Sequence, residues 1–492
     1  MPAPVNERMS RVDTAWLRMD NEANLMMIVG VWLIEPGLDI AALRERVAER
    51  LLRYDRFRQR VVEDAMGAHW VEDKTFDLDA HVVPEQLHPA RGQSRMDALK
   101  ARVGVLSMTP LNPERPLWQI QLVEQLDPDS GISQSAFIVR VHHCIGDGIA
   151  LISVMLSITD GGAPPPQRKR RHKEEDAEHD WLSDALIKPM ADLTIKAIGL
   201  TGGGVAKSME MMAHPEQPLV GSLEAAKVGY QVISDAASLA LMPDDSHTRL
   251  KGKATPGKVV AWGEPLALDD VKAVGQALGA SINDVLLTCV AGAIGGYLRS
   301  KGEDPTGKEI RAMVPVNLRP LEDAWKLGNR FGLVPLVLPI GIANPVERLA
   351  AVRARMNDLK GGYQPLLAFA LLAVAGLLIK PMQHALLNLF AKKATAVMTN
   401  VPGPREALKF CDRTVKQVMF WVPQSGDIGV GVSILSYAGG VQFGLITDDT
   451  LCPDPDQIVE RFQPEFEQLL YLSMMLPWGD GDGDGDGSGS AD

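Results

Sequence analysis

The stretch Phe137-Ile138-Val139-Arg140-Val141-His142-His143-Cys144-Ile145-Gly146-Asp147-Gly148 joins an apolar strand to a glycine-containing turn. Side chains alternate along a strand, so Val141 and His143 share one face while Arg140 and His142 share the other. The two adjacent histidines are therefore expected to point to opposite sides for as long as the strand persists. One of them can serve a cleft, and the other is then a structural residue.

The histidine nearer the turn has the residues that a general base needs close by. His143 lies four residues before Asp147, and Gly146 and Gly148 allow a tight loop around that aspartate. A neutral histidine can take a proton from a hydroxyl near pH 7 if its ring is held in one tautomer. Asp147 either bonds the ring directly, or pairs with an arginine and braces the loop while a backbone carbonyl orients the ring. A histidine pair on such a strand is also compatible with a structural role in the core.

Apolar patterning on both sides of this segment predicts a mixed α/β protein. The run 26–34 predicts a buried strand, and the spacing of Ile40, Leu43 and Val47 predicts a helix behind it. Ser94 with Asp97, and Ser281 with Asp284, have the spacing of helix N-terminal capping boxes. Further strands are predicted at 57–62, 69–72, 116–126, 136–141, 258–262, 310–316, 333–339, 415–422, 428–435 and 441–447, the last three antiparallel. Further helices are predicted at 148–156, around 271–278, after Asn344-Pro345 and around 462–470.

Composition divides the chain into four parts. Residues 1–160 and 251–478 read as two α/β domains of similar layout. Between them, 161–250 contains a proline run, a basic cluster (168–173) and an acidic patch, and is expected to be a partly disordered connection. The basic cluster either contacts phosphate groups or is simply solvated. The Gly/Asp/Ser tail 479–492 is expected to be disordered.

Bulk properties exclude several classes of function. The net charge of −12 argues against a general nucleic-acid binder, and four separated cysteines without a CxxC pair predict neither a disulfide framework nor a zinc site. We expect no metal site. The polar beginning of the chain and the lack of an uninterrupted apolar span predict a cytoplasmic protein. The apolar segment 366–379 and the shorter 385–390 predict either a buried core helix or a surface that touches lipid or lines an acyl tunnel.

His142–Gly148 resembles the HHxxxDG motif of the CoA-dependent acyltransferase superfamily. Other blocks resemble one group within it, the bacterial wax ester synthase/diacylglycerol acyltransferases. They occur in the expected order between about residues 10 and 450: Ser10–Leu17, Pro116-Leu117-Trp118, Ser281–Val285 with Asn283-Asp284, Val314–Arg319, Gly328–Gly332 and Thr399–Pro404. The chain departs from the family at two places: the family's Gly-Asn-Gln stands here as Gly328-Asn329-Arg330, and the 161–250 connection is long.

The resemblance implies two chloramphenicol-acetyltransferase-like α/β domains with mixed sheets and an active site at their interface. It implies that His143 is the catalytic general base, that Asp147 is structural and orients the site, and that His142 has a supporting role. The implied reaction is direct transfer of a long-chain acyl group from acyl-CoA to diacylglycerol, a long-chain alcohol or both. Acyl-CoA is then a substrate, and no cofactor is expected. Because these substrates partition into lipid, we expect peripheral contact with the inner membrane or with lipid inclusions.

Further residues are candidates for substrate contacts. Asn283, in the first turn of a helix, is the candidate oxyanion donor, and Asp284 and Gly148 are candidate substrate-binding residues; the alternative is that Asn283 and Asp284 only cap that helix. Pro116, Leu117 and Trp118 either line the acyl site or form an ordinary core strand. Two other functions stay open, a condensation-type enzyme that uses carrier-bound acyl groups and a non-catalytic protein that coats lipid inclusions.

Overall fold

The computed structural model describes residues 7–64, 67–163, 242–319, 326–360, 368 and 392–475. The strands are β1 (Glu7–Arg8), β2 (Met27–Glu35), β3 (Gln59–Asp64), β4 (Gly67–Glu72), β5 (Val82–Pro84), β6 (Trp118–Val123), β7 (Ser135–His142), β8 (Lys258–Trp262), β9 (Leu266–Ala267), β10 (Ile310–Asn317), β11 (Phe331–Leu338), β12 (Ala396–Pro402), β13 (Lys409–Phe410), β14 (Arg413–Trp421), β15 (Val430–Tyr437) and β16 (Gly440–Asp448). The helices are α1 (Arg11–Arg18), α2 (Ile40–Arg50), α3 (Leu78–His81), α4 (Arg95–Ser107), α5 (Gly148–Ser157), α6 (Leu268–Ala277), α7 (Ile282–Ser300), α8 (Pro345–Lys360) and α9 (Asp456–Met474).

The first large sheet carries the strand that leads into the histidine pair. Its strand order is β13-β14-β2-β7-β6-β5, and every pairing is antiparallel except that of β5 with β6. Both faces of its central strands β2 and β7 are buried, each against a separate apolar cluster. Burial on both faces explains why these strands read as continuous apolar runs in the sequence.

The second large sheet is mixed. Its order is β11-β10-β12-β15-β16-β8, with parallel pairing of β12 to both β10 and β15, and β9 pairs with β16. Helix α7 packs against this sheet and against α8 and α9, and it is buried along almost its whole length. The predicted mixed α/β architecture with two mixed sheets is confirmed.

The helix starts follow from local hydrogen bonding. The side chain of Ser94 accepts the N–H of Asp97 at 3.0 Å, as the sequence predicts. At the start of α7, Ser281 and Asp284 form a reciprocal capping box in which each side chain accepts the other residue's backbone N–H. Both helices are thereby fixed at the residues that the spacing indicates.

The C-terminal half contributes strands to the N-terminal sheet. The predicted strands 428–435 and 441–447 form the antiparallel pair β15–β16, but β14 pairs with β2 in the first sheet, with Val418 opposite Trp32. The halves also meet where α4 crosses β8, since a Cβ on Gly104 would lie 2.4 Å from the backbone oxygen of Lys258. The first sheet therefore contains strands from both predicted domains, 1–160 and 251–478.

Some predicted features fall outside the described residues, among them the basic cluster at 168–173, the apolar segments 366–379 and 385–390, and the tail 479–492. Within the described ranges, no single helix has the length and apolar content needed to cross a membrane. Helices α6 and α7 meet that test only when taken together, and a bend of 99° separates them.

Candidate active site

The ring of His143 is buried among aromatic side chains just beyond the end of β7. It stacks on Trp16 of α1, with ring centroids 4.2 Å apart and an angle of 12° between the planes, and it contacts Phe331 at 5.5 Å. Only 3% of His143 is exposed. Its Nδ1 has no hydrogen-bond partner among the described residues. Aromatic packing therefore sets the orientation of this ring, and neither Asp147 nor a backbone carbonyl bonds to Nδ1.

Both backbone groups of His143, its N–H and its carbonyl, form hydrogen bonds. Its N–H donates to the carbonyl of Met26 at 2.7 Å, and its own carbonyl accepts Nδ2 of Asn329 at 2.7 Å. The same Asn329 also donates, through its backbone N–H and Nδ2, to Oδ1 of Asp13. Asp13 is buried, and burial raises its pKa against the opposing hydrogen bonds from Asn329 and Ser10. This network joins α1, the histidine turn and the segment before β11.

Burial lowers the pKa of His143 to about 4, against the opposing effects of its own backbone and Asn329. A histidine with this pKa is neutral at pH 7 and can accept a proton. The unfolded chain takes up a proton at this histidine near pH 6.5, whereas the folded chain does so only near pH 4. The free energy of unfolding therefore falls as the pH drops from 6.5 to about 4.

We therefore expect kcat/KM to stay on a plateau as pH falls through 6.5, because the His143 base loses its function only near its depressed pKa of about 4. The measurement is a kcat/KM profile from about pH 5 to 8, which reports the ionisation of the free enzyme. A loss of activity centred near 6.5 would contradict a buried, neutral base. Circular dichroism at each pH separates this effect from unfolding.

His142 lies in a different, more polar environment. Its Nε2 is 3.4 Å from Oδ1 of Asp20, and its Nδ1 accepts the backbone N–H of Cys144 at 3.1 Å. The N–H of Cys144 keeps Nδ1 as an acceptor, which places the ring proton on Nε2, facing Asp20. His142 is thus committed to hydrogen bonds that fix the turn.

Asp147 clamps the histidine turn to the C-terminal half. Its Oδ1 accepts the N–H of Ala150 and caps α5, while its Oδ2 accepts Nη2 of Arg319 at 3.1 Å and the backbone N–H of Arg330 at 2.9 Å. Both side chains of the Asp147–Arg319 ion pair are nearly inaccessible to solvent. Of the two arrangements left open by the sequence, pairing with an arginine is the one observed.

A short parallel pairing reinforces this clamp. Gly146 and Gly328 form an isolated bridge, and the N–H of Gly328 donates to the carbonyl of Ile145 at 3.0 Å. Gly328 has a φ of +105°, in the left-handed region where a side chain is strained, and a Cβ there would lie 3.4 Å from Asp13. The glycine thus allows the C-terminal segment to approach the histidine turn.

Asn283 is exposed in the first turn of α7, and its Oδ1 accepts Nδ2 of Asn400 at 2.8 Å. No hydrogen bond among the described residues joins Asn283 to His143. Asp284 is buried and belongs to the capping box with Ser281, so for Asp284 the capping role considered from the sequence is observed. Its other carboxylate oxygen, Oδ1, is buried without a partner among the described residues.

An apolar cavity of about 100 Å³ lies beside the histidine turn, between the first sheet and α5. Val141, just before the motif, and Gly148, its last residue, both line it. Its described lining is almost entirely aliphatic and aromatic, drawn from β2, β6, β7, α5, β14 and β15, from the loop 403–408, and from Leu51 and Phe57. A hydrocarbon chain is the kind of ligand that such a surface accepts.

The Pro116-Leu117-Trp118 element meets the site at two points. The carbonyl of Leu117 accepts the N–H of His142, and Trp118 lines the cavity while its Nε1 donates to the carbonyl of Phe57 at 2.9 Å. The indole also stacks on the ring of His81. Burial lowers the pKa of His81. Trp118 therefore combines the two roles that the sequence left open, as a buried residue of β6 and as part of the cavity wall.

Several residues of the site were not singled out from the sequence, although the resembling blocks contain them. They are Asp13, Trp16, Arg319, Asn329 and Phe331. Their partners lie on distant parts of the chain, so no local spacing signals their contacts. Within the described ranges, no group of three or more His, Cys, Asp or Glu side chains could hold a metal ion.

The two large sheets, with an HHxxxDG turn held between the N-terminal and C-terminal halves of the chain, have the architecture expected of a CoA-dependent acyltransferase. The wax ester synthase/diacylglycerol acyltransferase catalytic domain matches residues 9–286, and the C-terminal domain of the same family matches residues 327–470. The chain belongs to the wax ester synthase/diacylglycerol acyltransferase family and is an enzyme.

Individual proteins agree with this assignment. The chain is 26% identical to a probable diacylglycerol O-acyltransferase of Mycobacterium tuberculosis over 479 residues, which cover 94% of this chain and 96% of that protein. It is 25% identical to wax ester synthase/diacylglycerol acyltransferase 8 of Arabidopsis thaliana, with 89% and 90% covered. The solved wax ester synthase/diacylglycerol acyltransferase of Marinobacter aquaeolei VT8 shares the fold, with a TM-score of 0.64, 19% identity and coverage of 95% of this chain and 100% of that one.

Proposed function

We propose that the enzyme transfers a long-chain acyl group from acyl-CoA to the hydroxyl of diacylglycerol, of a long-chain alcohol, or of both. The observation that carries this proposal is a buried histidine that lies between Val141 and Gly148, two residues that line an apolar cavity. The names of the relatives, diacylglycerol O-acyltransferase and wax ester synthase, support acyl transfer to these acceptors.

The proposed mechanism is direct transfer without an acylated enzyme. His143 removes the proton of the acceptor hydroxyl while the oxygen attacks the thioester carbonyl, which gives a tetrahedral oxyanion. The C–S bond then breaks, the carbonyl re-forms as an ester, and the proton held by His143 passes to the departing CoA thiolate. Burial lowers the pKa of His143, which makes its protonated ring a stronger acid than an ordinary imidazolium and favours this second proton transfer.

The oxyanion requires a hydrogen-bond donor, and Asn283 remains our candidate. Its bond to Asn400 occupies Oδ1 and leaves Nδ2 as a donor at the start of α7, where backbone N–H groups also favour negative charge. This role requires the donor substrate to place its carbonyl near α7.

Replacing Asn283 by aspartate keeps the oxygen that accepts from Asn400 but removes the amide donor. We expect kcat to fall by about 10²–10³-fold, the usual effect of losing one oxyanion donor. The helix should tolerate the change, because an acidic residue is favourable in the first turn. Asn283→Ala, which adds no charge, is the second variant. A wild-type kcat in both variants would exclude Asn283 as the donor.

The proposed function is tested by release of CoA thiol from palmitoyl-CoA, with diacylglycerol and hexadecanol supplied as acceptors in parallel reactions. Ester formation with either acceptor supports the proposal, and the ratio of the two rates gives the acceptor preference. Addition of EDTA should leave the rates unchanged, since we expect no metal or other cofactor. Failure of both acceptors with a folded enzyme would contradict the proposal.

Two further reactions separate the alternatives. Palmitoyl groups attached to acyl-carrier protein test the condensation-type alternative. The chain is similar, in fold alone, to the solved first condensation domain of the calcium-dependent antibiotic synthetase, with a TM-score of 0.56 and 13% identity. Exclusive use of the carrier-bound donor would favour that alternative. Binding to lipid without turnover over a panel of alcohols would favour a coat protein.

We also propose that the enzyme is cytoplasmic and acts at a lipid surface, because both substrates partition into lipid. Co-flotation with liposomes that contain diacylglycerol is the corresponding measurement. Recovery of all protein in the lipid-free fraction while ester synthesis continues would show that surface attachment is not required.

A further inference from the structure

Gly30 interrupts the cavity-facing side of β2. Ile28, Gly30 and Trp32 all line the cavity, while Val31 packs against the apolar cluster on the opposite face. From Met27 to Ile34, Gly30 is the one residue that is not buried. A glycine inside a strand weakens it and often marks a place where a ligand comes close to the backbone.

The position has room for a side chain. A Cβ on Gly30 would meet its nearest neighbours, the carbonyl oxygen of Met419 and Cβ of Phe420, at 3.5 and 3.8 Å, which are ordinary contact distances. Its φ lies outside the left-handed region, so a substitution introduces no backbone strain of that kind. Atoms beyond Cβ would then occupy the cavity itself.

The strand register places Gly30 midway along the cavity wall. Ile28 pairs with Val141 at the motif end, Gly30 pairs with Val139, and Trp32 lies further from the motif. At about 3.3 Å per residue, the wall from Ile28 to Trp32 is about 13 Å long. Beyond it, Trp32 packs against Phe410 with ring centroids 6.0 Å apart, so an aromatic group lies at the far end.

We propose that Gly30 determines how long an acyl chain the enzyme accepts, because it leaves the cavity open past its midpoint. This inference rests on the proposed function and adds a residue that selects the donor. The acyl group of acyl-CoA is the occupant that we assign to this apolar cavity, because it takes part in both proposed reactions, whereas diacylglycerol and a long-chain alcohol each take part in only one. Acyl-CoA brings a single chain, whereas diacylglycerol brings two chains that diverge from one glycerol.

The test uses the full-length Gly30→Leu variant and the milder Gly30→Ala, with Val31→Ile as a matched control on the opposite face of the same strand. The kcat/KM is measured for octanoyl-, dodecanoyl- and palmitoyl-CoA with hexadecanol held constant. Alcohol length is then varied with the best acyl-CoA. Thermal melting confirms that each variant is folded.

We expect Gly30→Leu to lower kcat/KM for palmitoyl-CoA relative to octanoyl-CoA by about tenfold or more, because each excluded methylene costs about fourfold in binding. Gly30→Ala should shift the same ratio less, and Val31→Ile should not shift it. An unchanged acyl-CoA profile in folded Gly30 variants, or a shift in the alcohol profile alone, would overturn the inference. An inactive wild-type enzyme would instead contradict the proposed function.

Discussion

Replacing His143 by glutamine is expected to lower kcat by about 10²–10⁴-fold, the usual contribution of a general base. Glutamine fills much of the space beside Trp16 and Phe331 but cannot accept a proton at neutral pH. KM for acyl-CoA should change little, since the cavity walls are untouched. The measurement is thiol release from palmitoyl-CoA under saturating acceptor.

The neighbouring histidine provides the matched comparison. His142→Gln alters the hydrogen bonds to Asp20 and Cys144 but leaves the His143 ring in place. We expect it to lose some stability and much less activity than His143→Gln. If instead His142→Gln abolished turnover and His143→Gln retained it, the base would have been assigned to the wrong residue of the pair.

The second large effect is expected at Asp147. Asp147→Asn can still cap α5 through its side-chain oxygen, but it leaves the buried Arg319 without its counterion. Removing one partner of a buried ion pair costs about 3–5 kcal/mol. We expect the lower end of that range, because Arg319 also donates to the carbonyls of Lys326 and Gly328. Urea unfolding gives the free energy directly.

Activity should fall with Asp147→Asn as well, by about 10²-fold, because loosening the clamp displaces the His143 turn from its productive position. The double variant Asp147→Asn/Arg319→Met should recover part of the stability, since no unpaired buried charge remains. Asp97→Asn, the same substitution at an exposed helix start, is the control and should leave both stability and activity close to wild type. Loss of activity without loss of stability would indicate that Asp147 contacts the reacting atoms.

Much of the fold could be predicted because its signals are local. Continuous apolar runs indicated β2 and β7, and short-range spacing indicated the N-cap at Ser94 and the capping box at Ser281. These features depend on residues within one turn or one strand. The placement of β14 beside β2 could not be predicted in this way, because both large sheets offered edges to an apolar strand and only packing of the whole chain selects one.

The same distinction applies to the site. The motif spacing selected His143 over His142 as the proposed base, and the structure places the two rings in separate environments. The sequence left open whether Asp147 orients the ring or braces the loop. The observed bond to Arg319, which lies 172 residues away, shows the bracing arrangement. The stacking of His143 on Trp16 likewise joins segments far apart in the chain.

The sequence by itself determined the two-sheet α/β class, the HHxxxDG turn and the resemblance that identifies the family, because each depends on local patterns of residues along the chain. Only the tertiary structure decided that His143 is neutral and held by aromatic rings, and that an apolar cavity begins beside it. The physical reason is that burial, which lowers the pKa of His143 and excludes water from the cavity, arises from segments brought together by folding. The spacing of residues along the chain does not indicate how deeply a side chain will be buried in the folded protein.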